Sequence, residues 1–431
     1  MGYNVQRLLS LLGAIPLVLA AQTLVFSNPS NSPTEPSSNY VGSSNFTLPR
    51  ANRVPGEVFD RIIIILLENT DFATANSTPT FQQLAKEGIL VTNYHGVGHP
   101  SEPNYVAMAG GDTFGLGSDA FVDAPENVST IVDLLEERGI SWASYQENMP
   151  CNGYNGMTPS SPPNEFYQRK HHQLAIWNSV KLRPRRAALL RNMNDFAADI
   201  NANALPQFVY ITPNIDNDAH DTTIEFAAQW LQFFLIPLLK NPNFNDDKTL
   251  VVVTFDENET GPLNNNVLTL LLGNAVPQRL RGTVDSTYLT HYSLLTTPQV
   301  NWGLDCLGRQ DTNKTVANVF SFVAEQVGFR NQVVTNPPLT NGTGTIPGPF
   351  NPNGMVTPFE APNTRAQCAN SRGRVFVNNN PPINPNLFAN GQCPQVAFSK
   401  DPNVQWNPSV DAKIAEEQAK CEASTLSIDS L

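Results

Sequence analysis

Apolar residues along this chain come in short, unbroken runs that end abruptly in polar groups. Ile62-Ile63-Ile64-Ile65-Leu66-Leu67 is followed directly by Glu68-Asn69, and Leu250-Val251-Val252-Val253-Thr254-Phe255 by Asp256-Glu257. A β-branched run without polar alternation predicts a strand buried on both faces, as in a parallel sheet between helix layers. Further strands are predicted over Ile89–Tyr94, Ser141–Tyr145, Gln207–Thr212 and Val267–Leu272. Between them the apolar spacing is helical: from Pro79 to Ala85, Tyr105–Gly110, Thr130–Arg138 with Ser129 as cap and Gly139 as stop, Ala187–Ile200, Thr223–Leu239, from His291 onward, and Val316–Val327. Phe226, Trp230, Phe233 and Phe234 are spaced to face a core. Strands alternating with helices predict an α/β fold with a mostly parallel central sheet flanked by helices.

The ends of the chain lack this periodicity. Residues 1–21 have a basic Arg7, an apolar Leu8–Leu19 run and small Ala20-Ala21, the pattern of a secretory signal peptide. Residues 22–55 are rich in Ser, Pro and Asn and read as an exposed leader. The α/β domain is expected over 56–333. Pro, Asn and Gly dominate 334–431, an irregular C-terminal extension with three of the five cysteines. An oxidising compartment predicts two disulfides and one leftover thiol, their connectivity open. Sequons at Asn45, Asn76, Asn127, Asn258, Asn313 and Asn341 fit a secreted, extracellular or cell-wall glycoprotein. No segment after the leader reads as a stable membrane anchor. The net charge of −12 in 431 residues excludes the basic footprint of a nucleic-acid binder. It leaves the oligomeric state open.

The candidate chemistry sits where predicted strands end. In open α/β sheets ligands bind outside the carboxyl ends of the strands, and here two strands end in Glu68-Asn69 and Asp256-Glu257. His95-Gly-Val-Gly-His99-Pro-Ser101-Glu-Pro-Asn104-Tyr105 is a Gly/Pro-fixed loop around one hydroxyl. A serine needs a base or a cation to become a nucleophile, and no G-x-S-x-G elbow is present. Asp218 and His220, in the loop after Thr212, can bind a metal or phosphate, or His220 can protonate a leaving group. His291 stands alone at a predicted helix start. His171 and His172, in Arg-Lys-His-His, read as a solvated loop, and Lys181-Leu-Arg-Pro-Arg-Arg as a solvated basic surface. Oxygen ligands suit Ca, Mg or Mn, and added imidazole allows Zn or Fe. One divalent ion, a hydroxyl and carboxylates together fit phosphoryl transfer.

Leu-Leu-Glu-Asn, His-Pro-Ser-Glu-Pro-Asn-Tyr, Thr-Pro-Asn-(x)2-Asn-Asp-Ala-His-Asp, Val-Thr-Phe-Asp-Glu-Asn and Thr-His-Tyr-Ser occur in that order. Over about Arg61 to Val327 this series resembles the secreted acid phosphatase and phospholipase C branch of the alkaline phosphatase superfamily, especially its fungal phosphate-repressible acid phosphatases. The resemblance implies a phosphoseryl intermediate on Ser101. It also implies a divalent metal on Glu68, Asn69, Asp256 and Glu257, and phosphate contacts or acid catalysis by His220 and His291. Asp218, His99 and Asn104 flank that site as substrate-binding candidates. The expected function is hydrolysis of a small phosphate monoester for phosphate scavenging. The alternatives are a phospholipase C acting on phosphatidylglycerol or phosphatidylcholine, and a wall glycoprotein without catalysis.

Overall fold

The computed structural model describes residues 24–37, 40, 42, 44–156, 166–261, 264–335, 337, 348–351 and 359–378. The signal-peptide reading, the Asn341 sequon, Cys393 and Cys421 lie outside the described residues.

Among the described residues nine strands form one sheet: β1 (Arg61–Leu67), β2 (Ile89–His95), β3 (Trp142–Gln146), β4 (Leu190–Asn192), β5 (Phe208–Thr212), β6 (Thr249–Phe255), β7 (Asn266–Leu272), β8 (Thr283–Asp285) and β9 (Leu289–Thr290). Their order is β4-β3-β5-β1-β6-β7-β2-β8, with β9 also on β2. Every pairing is parallel except those of β7, which runs against β6 and β2. The unbroken runs of β1 and β6 are buried along their whole lengths, at about 1.5–3 kcal/mol per large apolar side chain. Ile65 is level with Ile211 of β5, and Leu67 with Phe255 of β6. The three central strands therefore deliver the residues after them to one edge of the sheet.

Tyr210 and Tyr145 point to opposite faces, because Tyr210 is level with Ser144 and side chains alternate along a strand. On one face the Tyr210 hydroxyl donates to the Met108 carbonyl of helix Glu102–Gly110, 2.9 Å. On the other, Tyr145 packs on Phe196 of helix Met193–Asn201, which packs on Phe234 of helix Ile224–Leu238. In that last helix Trp230 and Phe234 are buried. Phe226 and Phe233 are half-buried under Phe26.

Several sequence expectations are corrected. Within the helix expected over Ala187–Ile200, Leu190–Asn192 is a strand beside β3, and Asn192 then caps the following helix by accepting from the Asp195 amide, 2.9 Å. The helix expected over Val316–Val327 starts at Ser321. The basic cluster is not a solvated surface: Lys181, Arg183 and Arg186 are buried. Arg186 is held by Asp133 at 2.8 Å and Glu136 at 2.6 Å, and Lys181 by Asp123 at 2.5 Å. Parts of the 22–55 stretch lie on the domain, with Tyr40 and Leu48 buried and the Leu48 amide donating to Asp199, 2.7 Å. Cys306 and Cys368 form a disulfide, and Cys151 is disulfide-bonded as well. Among the described residues no helix is long and apolar enough to cross a membrane.

His172 is buried between the Ser144 hydroxyl, 2.7 Å, and the Tyr167 hydroxyl, 3.1 Å. Burial, reinforced by Arg169, lowers its pKa to about 3. The unfolded chain therefore binds this proton near pH 6.5 while the folded chain refuses it. Stability is fully present above pH 6.5 and falls as the pH drops toward 3, by about 3 kcal/mol at pH 4 from this group alone. His172→Gln is expected to cost stability at pH 7. Its deficit in melting temperature should shrink steadily as the pH falls to 4. A deficit independent of pH means that His172 is charged in the folded protein.

Candidate active site

The edge where β1, β5 and β6 end carries a cluster of buried polar groups. Glu68, Asp218 and Asp256 are fully buried, and Glu257 nearly so. Asn69 follows Glu68 in the left-handed region, φ 34°. This turns its amide N–H onto Asp256 Oδ1, 3.2 Å. The loop after β5 is folded by Asn214, whose Oδ1 accepts from the Asp216 and Asn217 amides, 3.1 and 2.9 Å. Buried Glu147 braces it by accepting from the Asn214 amide and the Asn217 side chain. That loop returns the Asp218 carbonyl to the Glu68 amide, 2.9 Å.

Ser101 is the residue before helix Glu102–Gly110 and is 1% exposed. Its backbone is already helical, φ −57° and ψ −49°, unlike the extended backbone of a serine that caps its helix. The hydroxyl donates outward to Glu68 Oε2, 3.0 Å, and to Glu257 Oε1, 3.3 Å. Tyr105, one turn further on, donates its hydroxyl to the other Glu68 oxygen and stacks on the His171 ring, 5.4 Å between centroids. The outer end of the Asn69 side-chain amide lies 3.3 Å from Glu68 Oε2 and 3.2 Å from Glu257 Oε1. An oxygen turned inward there joins a set of convergent oxygens.

Burial, then the charges of Asp256 and Asp218, push the Glu68 carboxyl well above the usual range. Burial, then Glu257, does the same to Asp256, and burial raises Asp218 and Glu257. Asp218 Oδ2 and Asp256 Oδ2 are buried without a hydrogen-bond partner among the described residues. Protons or a bound cation relieve such a cluster, because unpaired buried charge costs several kcal/mol per ion. The hard-oxygen set of Glu68, Asn69, Asp256 and Glu257 fits a divalent metal. A second donor group overlaps it: ligand atoms of Glu68, His171 and His220 lie within 4.8 Å of one another.

The histidines differ in what they face. His171 is buried, with Nε2 3.6 Å from Glu68 Oε2 and Nδ1 3.7 Å from Asp218 Oδ2. Burial, then Lys170 and His220, holds its pKa well below 6.5. The solvated-loop reading of His171 and His172 is thus overturned. His220 is partly exposed beside it, ring centroids 5.5 Å apart, with Nδ1 on Asp221, 2.7 Å. His291 is fully buried and spends both ring nitrogens on the protein, Nδ1 on the Tyr94 hydroxyl at 3.1 Å and Nε2 on the Asp256 carbonyl at 2.5 Å. His99 Nδ1 is 2.5 Å from Glu257 Oε2. Asn104 holds the loop before Ser101, accepting from the Val97 and Gly98 amides and donating to the Gly98 carbonyl. The structure therefore gathers Ser101, Glu68, Asn69, Asp256, Glu257, Asp218, His220 and His99 at one edge. It sets Asn104 and His291 behind them.

A family model described as Phosphoesterase family matches residues 71–305. The chain belongs to this family. Ser101, Asp218, His220, Asp256, Glu257 and His291 lie inside the matched stretch, and Glu68-Asn69 immediately before it. Over 86% of this chain and 88% of the relative, the phosphoesterase is 42% identical to the phosphate-repressible acid phosphatase of Penicillium chrysogenum. It is also 42% identical to the acid phosphatase of Aspergillus niger, over 77% of this chain and 78% of the relative. Among solved structures, a protein of the alkaline phosphatase superfamily from Vibrio parahaemolyticus is similar at a TM-score of 0.40 and 14% identity, covering 62% of this chain and 72% of that one.

Of the sequons in the described part of this phosphoesterase, Asn45, Asn127 and Asn313 are exposed and Asn76 is half-exposed. Asn258, next to Glu257, is 8% exposed and donates its side-chain amide to Asp71, 3.0 Å. Sequence reasoning passed over Tyr105 and His171. Tyr105 had a readable signal, since residues four apart share a helix face and Ser101 is four residues earlier.

Proposed function

We propose that the protein is a secreted acid phosphatase that hydrolyses small phosphate monoesters through Ser101. The observation that carries this reading is one serine hydroxyl donating to two buried carboxylates that converge with Asn69 and Asp256. The 42% identity to a phosphate-repressible acid phosphatase supports both the substrate class and a role in phosphate scavenging.

Glu68, Asn69, Asp256 and Glu257 would hold a divalent cation, whose charge would offset the carboxylates and the substrate phosphate and favour the ionised serine. Ser101 Oγ then forms the bond to phosphorus as the ester P–O bond breaks in line. The serine proton passes to a carboxylate it already touches, Glu68 or Glu257. His220, at the open side of the cluster, gives a proton to the departing alkoxide. In the second half a water replaces the alcohol. It gives its proton back to His220, attacks phosphorus, and releases phosphate as Ser101 Oγ recovers its own proton. His171, neutral and buried between Glu68 and Asp218, is suited to hold a phosphate oxygen or P–OH. His291 serves by fixing the Asp256 backbone from behind, and His99 by orienting Glu257.

Elemental analysis and chelation test this together. Purified protein should carry roughly one divalent ion per chain, the number the four-residue oxygen set can hold. Dialysis against a chelator should abolish hydrolysis of an aryl phosphate, and returning the metal should restore it. Full activity in a protein free of divalent metal overturns the reading.

A further inference from the structure

The nucleophile's helix begins with an unusual division of labour. Ser101 precedes the helix with backbone angles that are already helical, φ −57° and ψ −49°, and makes no side-chain cap bond; its hydroxyl is turned to Glu68 and Glu257. The first amide of the helix, that of Glu102, is instead satisfied from outside: it donates to Asp119 Oδ1 at 3.1 Å. The other oxygen of the same carboxylate accepts from Lys170 Nζ at 2.7 Å. Lys170 precedes His171, in the short helical turn Arg169–His171. One carboxylate thus joins the start of the nucleophile helix to the turn that carries a buried histidine of the site. Both partners are partly shielded, at 29% and 23% side-chain exposure. The charges of Glu68 and Asp256 also act on Lys170.

We propose that Asp119 is a positioning residue. It anchors the Glu102 amide, one residue after Ser101, and so holds the backbone from which the Ser101 hydroxyl points into the site. Through Lys170 it also fixes the distance between Ser101 and His171. Without Asp119 the Glu102 amide is left as an unpaired donor at the helix start, and the first turn shifts to find another acceptor. In this phosphoesterase such a shift takes Oγ away from Glu68 and from an attacking position, and a small misplacement of a reacting atom is costly. The proposal rests on Ser101 being the nucleophile.

The test is a series of variants in the metal-loaded full chain: Asp119→Ala, Asp119→Asn, Lys170→Met and the double variant Asp119→Ala/Lys170→Met. Steady-state and stopped-flow hydrolysis of an aryl phosphate are read alongside melting temperature. Asp119→Ala is expected to lower the rate of the first aryl-oxide release roughly 10²-fold with KM within about twofold. Asp119→Asn keeps an acceptor for the Glu102 amide and should recover most of that rate. Lys170→Met should lower it by an intermediate factor, and the double variant should be no slower than Asp119→Ala alone, because the two act as one unit. Asp119→Ala with a native first-turnover rate overturns the proposal. So does an Asp119→Asn variant as slow as Asp119→Ala, or a loss that follows melting temperature across the series. Failure of the underlying reading looks different: Ser101→Ala then turns over substrate whatever happens at Asp119.

Discussion

Ser101→Ala is expected to remove aryl-phosphate turnover, a loss on the order of 10⁴-fold in kcat, while the protein stays folded and keeps its metal. The hydroxyl is the group that donates to both Glu68 and Glu257, and replacing the side chain with a methyl group leaves every backbone bond of the helix start unchanged. The rival hydroxyl is that of Tyr105, which touches the same Glu68 carboxylate. Burial, followed by the Glu68 charge, holds its pKa well above 10. Its phenolate is therefore out of reach at any pH where an acid phosphatase works, and Tyr105 acts as a donor that orients Glu68. The measurement is kcat for the purified variant, with metal content and melting temperature as controls. Activity above about 1% of native in a folded, metal-loaded Ser101→Ala variant would falsify the nucleophile assignment.

The parts of this architecture that could be read from the sequence are those fixed by local pattern. β1 and β6 announce themselves because a strand covered on both faces has no room for polar alternation, and all fourteen of their residues are buried. Their parallel register then brings Glu68 beside Asp256 without further information. The helix expected over Thr130–Arg138 is nearly as legible, but its cap is Thr130, in a capping box with Asp133, rather than the expected Ser129. What was missed depends on partners far along the chain. Arg169, Lys170, Lys181 and Arg186 look like solvent-facing charge until Asp123, Asp119, Asp133 and Glu136 arrive from about 46 to 58 positions away. Once those charges are paired, the turn they carry can sink inward. It takes His171 and His172 into the core with it. No periodicity marks a histidine buried in this way.

The three-residue strand β4 was hidden for a different reason. Its residues lie inside a stretch of good helix formers, and only the edge of the sheet beside β3 selects the extended form. The Asn192 cap, three residues before Asp195, was the available clue. His291 shows the opposite limit. Its chemistry invites a catalytic role, but side-chain identity cannot tell whether a ring faces a cleft or, as here, a carbonyl and a buried phenol.

Glu68→Gln is expected to separate function from stability at this same edge. Glu68 is the hub: one oxygen accepts from Tyr105, the other from Ser101, with His171 3.6 Å away. It also lies closest in effect to Asp256 and Asp218, whose charges add to burial in raising its pKa. Two like charges 4 Å apart repel by about 4 kcal/mol at an effective dielectric of ~20. Replacing one by a neutral amide of the same shape therefore relieves the cluster when no cation is bound and weakens it as a cation site. The amide oxygen can still accept from Tyr105. Metal affinity should fall by roughly 10²-fold or more, and kcat with it. In chelator, the melting temperature of Glu68→Gln should equal or exceed that of the native chain. In saturating metal the order should reverse, because the native protein gains more from binding. A variant that melts lower than native in chelator, yet retains its metal and its turnover, shows that Glu68 holds the fold together rather than the cation.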